Sequence, residues 1–449
     1  MTSVLRDPDR TDSSFMTKRA WWLVVLNLLV PGSAQVLAGD RRLGRFGLAA
    51  TLALWVLVVL AVIGLLVARE TMLSVFTNSF VLGAVVLVLA FYAVLWVILT
   101  LDTLRLVRFV RIAPLARGFV GGLAVAALLV TAGTASYVAV STTSAIGLLD
   151  AVFADGSVEP PIDGKYNILL LGGDAGPDRV GLRPDSISVA SVDATTGAVV
   201  IMGIPRNLYD APFSTGSPML ADYPDGWNCG DDCLIDYVYT YGEEHPELYP
   251  DAEAEGSSPG IEAMRDAVEG VLGIPLQYYV LIDMQGFADL IDALGGVEIT
   301  VDERLPIGSN NYDDGRKAPP AGYIEAGTQR MDGQTALWYA RTRYATTDYA
   351  RMARQRQVQE AILAQASPGN VLANFTAIAQ AGAQVVRTDI PQPMLSHFVT
   401  LADKAKQQPI VSLDFVPPDY DNLHPDFAVV QAKVQELLHP PSPAAGTDG

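Results

Sequence analysis

The chain has 449 residues, half of them hydrophobic, with 30 Lys and Arg against 49 Asp and Glu and a net charge of −19. That length accommodates a membrane region plus one sizeable globular domain. Residues 1–150 carry a net +5 and the remainder −24, and a basic apolar half joined to an acidic soluble half argues against nucleic acid as a partner.

Residues 1–20 form a polar, cytoplasmic start. Trp21–Ala38 is apolar but short, and Pro31-Gly32-Ser33 breaks it. Three later runs, Phe46–Val67, Ser79–Leu101 and Phe119–Val140, have the length of about 20 apolar residues that a bilayer requires. Arg41, Arg42 and Arg45 precede the first run, and Arg105, Arg108, Arg111 and Arg117 precede the last. Basic loops stay in the cytoplasm, so this pattern predicts a multi-pass protein of the cell membrane whose chain leaves the third span outward. Residues 21–38 have basic flanks on both sides, which fits a re-entrant or interfacial segment better than a fourth span. The charged, multi-span pattern continues far past any cleavage site, which argues against a signal peptide.

A Ser/Thr/Ala-rich linker covers residues 141–164, and a structured domain is expected over 165–438, with a disordered tail at 439–449. Asn167–Gly172 reads as a buried strand. Ser186–Asp193 and Ala198–Ile204 alternate and are β-branched, with Ala194-Thr195-Thr196-Gly197 as the turn of a hairpin. Residues 208–259 show no period and read as a long excursion. Within it, Cys229 and Cys233 are spaced for a small disulfide if the compartment is oxidising, the alternative being two free thiols. Ile261, Met264, Val268, Val271 and Leu272 follow helical spacing and Gly273 ends the helix. Strands are expected at Tyr278–Asp283, Val297–Val301 and Ile410–Phe415. Helices are expected around Phe287–Leu294 and at Asp332–Tyr339, Tyr349–Ala366, Val371–Val385, Met394–Lys406 and Phe427–Leu438. Alternating helices and strands with an early hairpin predict an α/β class with a mixed sheet.

The chemistry-bearing residues cluster in three places. Asp174 follows Leu169-Leu170-Leu171-Gly172-Gly173 at the C-terminal end of a strand, the edge where α/β sheets bind ligands. Arg183 and Asp185 lie just before the next strand. Arg206 leaves another strand. Arg341 and Arg343 follow the Asp332–Tyr339 helix, and Arg351, Arg354 and Gln355 are spaced along one side of the next. Arginines gathered in an acidic chain suit a multidentate anion, and a pyrophosphate with a divalent cation held by Asp174 and Asp185 would fit. The bland alternatives are a turn aspartate, a surface ion pair and a solvated basic helix face. No Ser/His/Asp set, phosphate-binding loop or dinucleotide fingerprint is present.

Taken together, YNILLLGGD, RPDSISVASVD, VVIMGIPRNLY, GIEAMRDAVEGVLGIPLQYYVLIDMQGFADLIDALGGVEITV, IEAGTQRMDGQTALWYARTRY and YARMARQRQVQEAI resemble, in order, the LytR–CpsA–Psr family of cell-wall glycopolymer ligases. The resemblance implies an α/β/α domain holding a polyprenyl pyrophosphate lipid with Mg2+, and transfer of a phosphoglycan to peptidoglycan. It implies metal contacts from Asp174 and Asp185, and pyrophosphate contacts from Arg183, Arg206, Arg341, Arg343 and Arg351, with Arg354 and Gln355 in support. The chain departs from the family at Pro184, where a serine is usual, and at Asn207, where an aspartate is usual and would orient Arg206. Hydrolysis of the same lipid, or a non-catalytic lipid-binding regulatory role, are the rival expectations.

Overall fold

The computed structural model describes residues 6, 12–68, 72, 75, 79–152, 158–174, 183–230, 233–308, 319–342, 344, 346–365 and 386–440. The chain divides into two units, Met1–Ile146 and Gly147–Gly449.

The first unit is helical. Helix α1 (Ser13–Leu29) starts at Asp12, whose carboxylate accepts hydrogen bonds from the Ser14 and Phe15 amides. This satisfies two of the donors that a helix start leaves open. It stops at Val30, and Gly32, at φ 96°, turns the chain into the short helix α2 (Ser33–Ala38). Helix α3 (Arg41–Val67) is capped by Asp40, and α4 (Ser79–Val107) runs back alongside it. The antiparallel register follows from two contacts: the Tyr92 hydroxyl donates to the Ala50 carbonyl at 2.7 Å, and Gly47 abuts Leu99. The basic N-terminus of α3 and the basic C-terminus of α4 therefore lie at the same end. Arg19 donates to the Leu106 carbonyl at 3.0 Å and Gly39 also abuts Leu106. The α1–α2 hairpin thus begins and ends at that same level.

Among the described residues, two helices are long and apolar enough to cross a membrane, Arg41–Val67 and Phe80–Arg111. Their large apolar side chains point outward, with Leu66 81 % and Leu87 73 % exposed, the reverse of a helix in a soluble core. The third expected span, Phe119–Val140, lies inside α5 (Pro114–Val152).

The second unit is built on a six-stranded mixed sheet. Its strands are β1 (Lys165–Asp174), β2 (Arg183–Asp193), β3 (Val199–Ile204), β4 (Tyr278–Asp283), β9 (Val386–Thr388) and β10 (Val411–Asp414), and their spatial order is β10-β3-β2-β1-β4-β9. β1 pairs antiparallel with β2 and parallel with β4. β3 pairs antiparallel with β2 and parallel with β10. The β2–β3 turn is the one expected: the Asp193 carboxylate accepts from Thr195 and Thr196 amides at 3.0 and 2.8 Å. Gly197 sits at φ 73°, where a Cβ would lie 2.6 Å from the Leu401 carbonyl oxygen, so turn and packing both require glycine.

Alternation along β1 decides the two faces. Leu169 and Leu171 enter one core with α6 (Tyr237–Glu244), α7 (Pro259–Leu272) and α12 (Phe427–Leu438). Ile168 and Leu170 enter the other, with Phe398 and Leu401 of α11 (Leu395–Ala405). A further core joins α8 (Met284–Ala293), α9 (Gly333–Arg341) and α10 (Asp348–Gln365) to two small sheets. One pairs β5 (Val297–Val301) with β8 (Gly327–Met331), and the other pairs β6 (Leu305–Ile307) with β7 (Gly322–Ile324). The helix expected at Val371–Val385 lies outside the described residues. The excursion at 208–259 is more ordered than its sequence implies, because it holds α6 and an aromatic cluster of Phe213, Tyr223, Trp227 and Tyr241. Cys229 and Cys233 form the disulfide.

Candidate functional site

Strands β1, β3, β4 and β10 all end at one edge of the sheet, where β2 begins. That topology delivers Arg183 and Asp185 from the start of β2 and Arg206 from just past β3. Helix α10 brings Arg351 over the same edge. A cavity of about 520 Å3 opens there, lined by Asp185, Arg206, Arg341, Arg351, Gln355 and Asp283 at its polar end. Leu170, Val280, Phe287, Leu290, Ile362 and Leu363 line the remainder. A bulge in β1 between Gly172 and Gly173 and the absence of side chains there leave the strand backbone open to the cavity.

The arginines are braced by carboxylates. Arg206 pairs with Asp185, and its Nε lies 3.8 Å from Asp348. Arg351 is 3 % exposed. It reaches Asp348 at 3.1 Å and Asp185 at 3.7 Å, and donates to the Asp185 carbonyl at 3.1 Å. Two cations and two anions thus form one network, and none of these charges is buried without an opposite partner. The network also explains how Asn207 is tolerated. Asp185 and Asp348 orient Arg206, while the Asn207 backbone carbonyl accepts from Asn422 at 3.2 Å. Pro184 occupies a buried place in β2 opposite Gly173.

The other expected site residues fall differently. Arg183 stacks over the Tyr237 ring, 3.9 Å from its centroid, a cation–π contact that fixes it beside α6. Arg341 and Gln355 line the cavity. Arg354 does not: its Nε donates to the Tyr339 carbonyl at 2.9 Å and its Nη2 to the Thr342 carbonyl. It braces the end of α9, the helix that carries Arg341, and does not itself line the cavity. The physical reason is angular. Successive helical residues turn by about 100°, so Arg354 and Gln355 diverge to either side of Arg351. Asp174 ends β1 opposite Arg183, and its side chain lies outside the described residues, as does Arg343.

One functional candidate has no signature in the sequence. Asp236, at the start of α6, is 5 % exposed, and its amide donates to the Arg206 carbonyl at 3.3 Å. Its Oδ1 has no hydrogen-bond partner. Burial raises its pKa to about 6, against the opposing pull of Arg206 and Arg183. It sits in a stretch without period, so only the fold brings it to the arginines.

Among the described residues, no three His, Cys, Asp or Glu side chains gather into a metal cage. Mg2+ is usually held by one or two carboxylates plus phosphate oxygens and water. Asp185 lines the cavity as one such carboxylate, and Asp174 ends the neighbouring strand.

Fold and site together define a mixed α/β domain with a cationic mouth on an apolar cavity. The LytR_cpsA_psr family model matches residues 138–437, and the chain belongs to that family. It is 28 % identical over 228 residues to the polyisoprenyl-teichoic acid–peptidoglycan teichoic acid transferase TagU of Halalkalibacterium halodurans, covering 50 % of this chain and 61 % of that protein. It is 29 % identical over 229 residues to the TagU of Enterococcus faecalis, with the same two coverages of 50 % and 61 %. The chain spans about 61 % of the length of these relatives. The crystal structure of B. subtilis TagV aligns with 23 % identity and a TM-score of 0.43, covering 62 % of this chain and 98 % of that one.

Proposed function

We propose that the chain is a membrane-anchored phosphotransferase that moves a phosphoglycan from a polyprenyl pyrophosphate carrier onto peptidoglycan. The observation that carries this reading is the meeting of Arg206, Arg341, Arg351 and Gln355 with Asp185 at the mouth of a largely apolar cavity. An amphiphile with an anionic head and a hydrocarbon tail matches both ends. The relatives' names, which specify a polyisoprenyl-linked donor and a peptidoglycan acceptor, support the substrate classes.

Mg2+, held by Asp185 and Asp174, would supply charge neutralisation on the phosphates. The chain's own residues would do the positioning. Arg206 and Arg351 are locked by Asp185 and Asp348 before any substrate arrives, so their donors need no reorganisation as charge develops on the transferred phosphoryl group. The sugar hydroxyl of the acceptor then has only to be held in line. The tail would lie against Phe287, Leu290, Ile362 and Leu363. The shared basic end of α3 and α4 would face the cytoplasm, and a crossing by α5 would place the α/β domain outside the cell.

The test uses the full chain in liposomes with Mg2+, a labelled lipid-linked glycopolymer and peptidoglycan. Arg341→Ala is expected to lower transfer by about 100-fold or more with an unchanged melting temperature. Undiminished transfer would overturn the assignment. Release of polyprenyl phosphate at the same rate with and without peptidoglycan would assign hydrolysis instead.

A further inference from the structure

The connection between α4 and α5 is held more firmly than a loop joining two apolar helices requires. Arg108 adopts a left-handed backbone conformation, φ 52°, which is uncommon for a residue with a Cβ. A short 3-10 turn, Phe109–Arg111, follows it. Arg117, in the first turn of α5, reaches back over this turn. Its Nε donates to the Ile112 carbonyl at 2.9 Å and its Nη2 to the Val110 carbonyl at 3.1 Å. The Ala113 amide donates to the Thr17 hydroxyl of α1 at 3.2 Å, and Val107 and Ile112 are buried with Ala20 and Val24 of α1. Hydrogen bonds and packing thus both fix the turn to α1.

What the fixed turn presents to its surroundings is positive charge. Arg105, Arg108 and Arg111 are exposed at three-residue spacing around it, and Lys18 is exposed on α1 next to Thr17. The described acids of this end are otherwise placed. Asp12 and Asp40 cap helix starts, and half-buried Asp102 lies one turn before Arg105 on α4. Large apolar side chains border the patch: Trp22, one turn along α1 from Lys18, is 63 % exposed, and Phe119 of α5 is 64 % exposed.

Guanidinium groups favour phosphate oxygens, which they can bind through two parallel N–H donors. A soluble polyanion would satisfy the arginines and leave Trp22 and Phe119 in water. A zwitterionic headgroup would bring its own cation up to the arginines. An amphiphile with a net negative head matches both the charge and the apolar border. The patch also lies at the ends of the apolar helices, the level at which headgroups and aromatic belts sit, and basic clusters beside spans attract anionic lipid. Because the backbone is already fixed, little further ordering opposes binding.

We propose that the α4–α5 turn, through Arg105 and Arg108 with Lys18 beside them, binds the headgroup phosphate of an anionic phospholipid, whose acyl chains lie among the bordering apolar side chains. The site lies wholly in the first unit and is independent of the transfer reaction. It rests on that unit being embedded in a bilayer, which retention of the full chain in carbonate-washed membranes checks by itself.

The experiment reconstitutes the full chain into nanodiscs of dioleoylphosphatidylcholine and dioleoylphosphatidylglycerol in equal amounts. Lipids that stay bound after exchange into a neutral detergent are counted by native mass spectrometry. Phosphatidylglycerol is expected to be retained over phosphatidylcholine. Arg105→Gln and Arg108→Asn should each lower that preference about five-fold, the effect of one cation lost beside an anionic headgroup. Asparagine tolerates the left-handed conformation, so Arg108→Asn keeps the turn and decides the matter even if Arg105→Gln fails to fold. Arg45→Gln removes an exposed charge from α3 at the same end of the unit and should change the preference by less than about two-fold, since exposed charges away from the site are screened. Equal retention of the two lipids by the parent, or an unchanged preference in a folded Arg108→Asn variant, would overturn the proposal. So would an equal loss in Arg45→Gln, which would mean diffuse surface charge and no site at the turn.

Discussion

Asp236→Asn tests how the arginine site is balanced. The Asp236 carboxyl is raised from 3.8 to about 6, chiefly because burial strips water from its charged form. A shift of about two units, at about 1.4 kcal/mol each, corresponds to about 3 kcal/mol. The sign follows from linkage. Below the unfolded value of 3.8 both states hold the proton, and Asp236 has no pH-dependent effect. Between that value and about 6 the native state keeps a proton that the unfolded chain has lost, so stability falls as pH rises. Above about 6 the native state carries the full cost of a buried charge. Asparagine keeps the shape and removes the charge, so Asp236→Asn is expected to be more stable than the parent at pH 7.5 by up to about 3 kcal/mol. The gain should vanish near pH 4. Thermal melts of the full chain in detergent, followed by tryptophan fluorescence from pH 4 to pH 8, read this directly. A variant that is less stable at pH 7.5, or whose difference from the parent is flat with pH, would refute burial as the dominant influence. It would mean that Arg206 and Arg183 hold Asp236 as a firm ion pair.

Arg351→Ala should lose about 3 kcal/mol, because it leaves Asp185 and Asp348 to share Arg206 in a part-buried network; urea unfolding of the full chain measures it. Arg351→Lys should recover little of the transfer activity, since an ammonium cannot span both carboxylates and a carbonyl as the guanidinium does. Arg354→Ala should lower stability and reduce kcat through displacement of Arg341, with KM for the lipid donor nearly unchanged; steady-state kinetics with labelled donor separates the two. Leu290→Trp, which fills the apolar end of the cavity, should raise KM for a long-chain donor and leave a short-chain analogue unaffected. Cys229→Ser should cost about 2 kcal/mol, the value expected for so short a loop, and the parent should show the same loss under reducing agent.

Much of this was legible from pattern alone. The strands at Tyr278–Asp283 and Val297–Val301 have the bounds that apolar content and alternation predict. The helix at Pro259–Leu272 buries Ile261, Met264, Val268, Val271 and Leu272 as their spacing requires. Other features were hidden for physical reasons. β6 and β7 have three residues each, too few for a period to emerge. The excursion at 208–259 is ordered by aromatic packing and a disulfide, and neither leaves a repeat. The spacing of Arg351, Arg354 and Gln355 suggested one shared task, but a helix face is broad enough to point Arg354 at α9 and the other two at the cavity.

The sequence by itself determined the apolar helices, the basic residues at their ends, the α/β alternation and the arginine-bearing segments, because each depends on neighbours within a few turns or residues. Only the tertiary structure decided which charges meet. Asp185 and Arg206 lie far along the chain from Asp348 and Arg351, and Asp236 joins them from a stretch with no motif. Their pairing, and the raised Asp236 carboxyl, come from sheet order and burial, which depend on contacts across the whole domain.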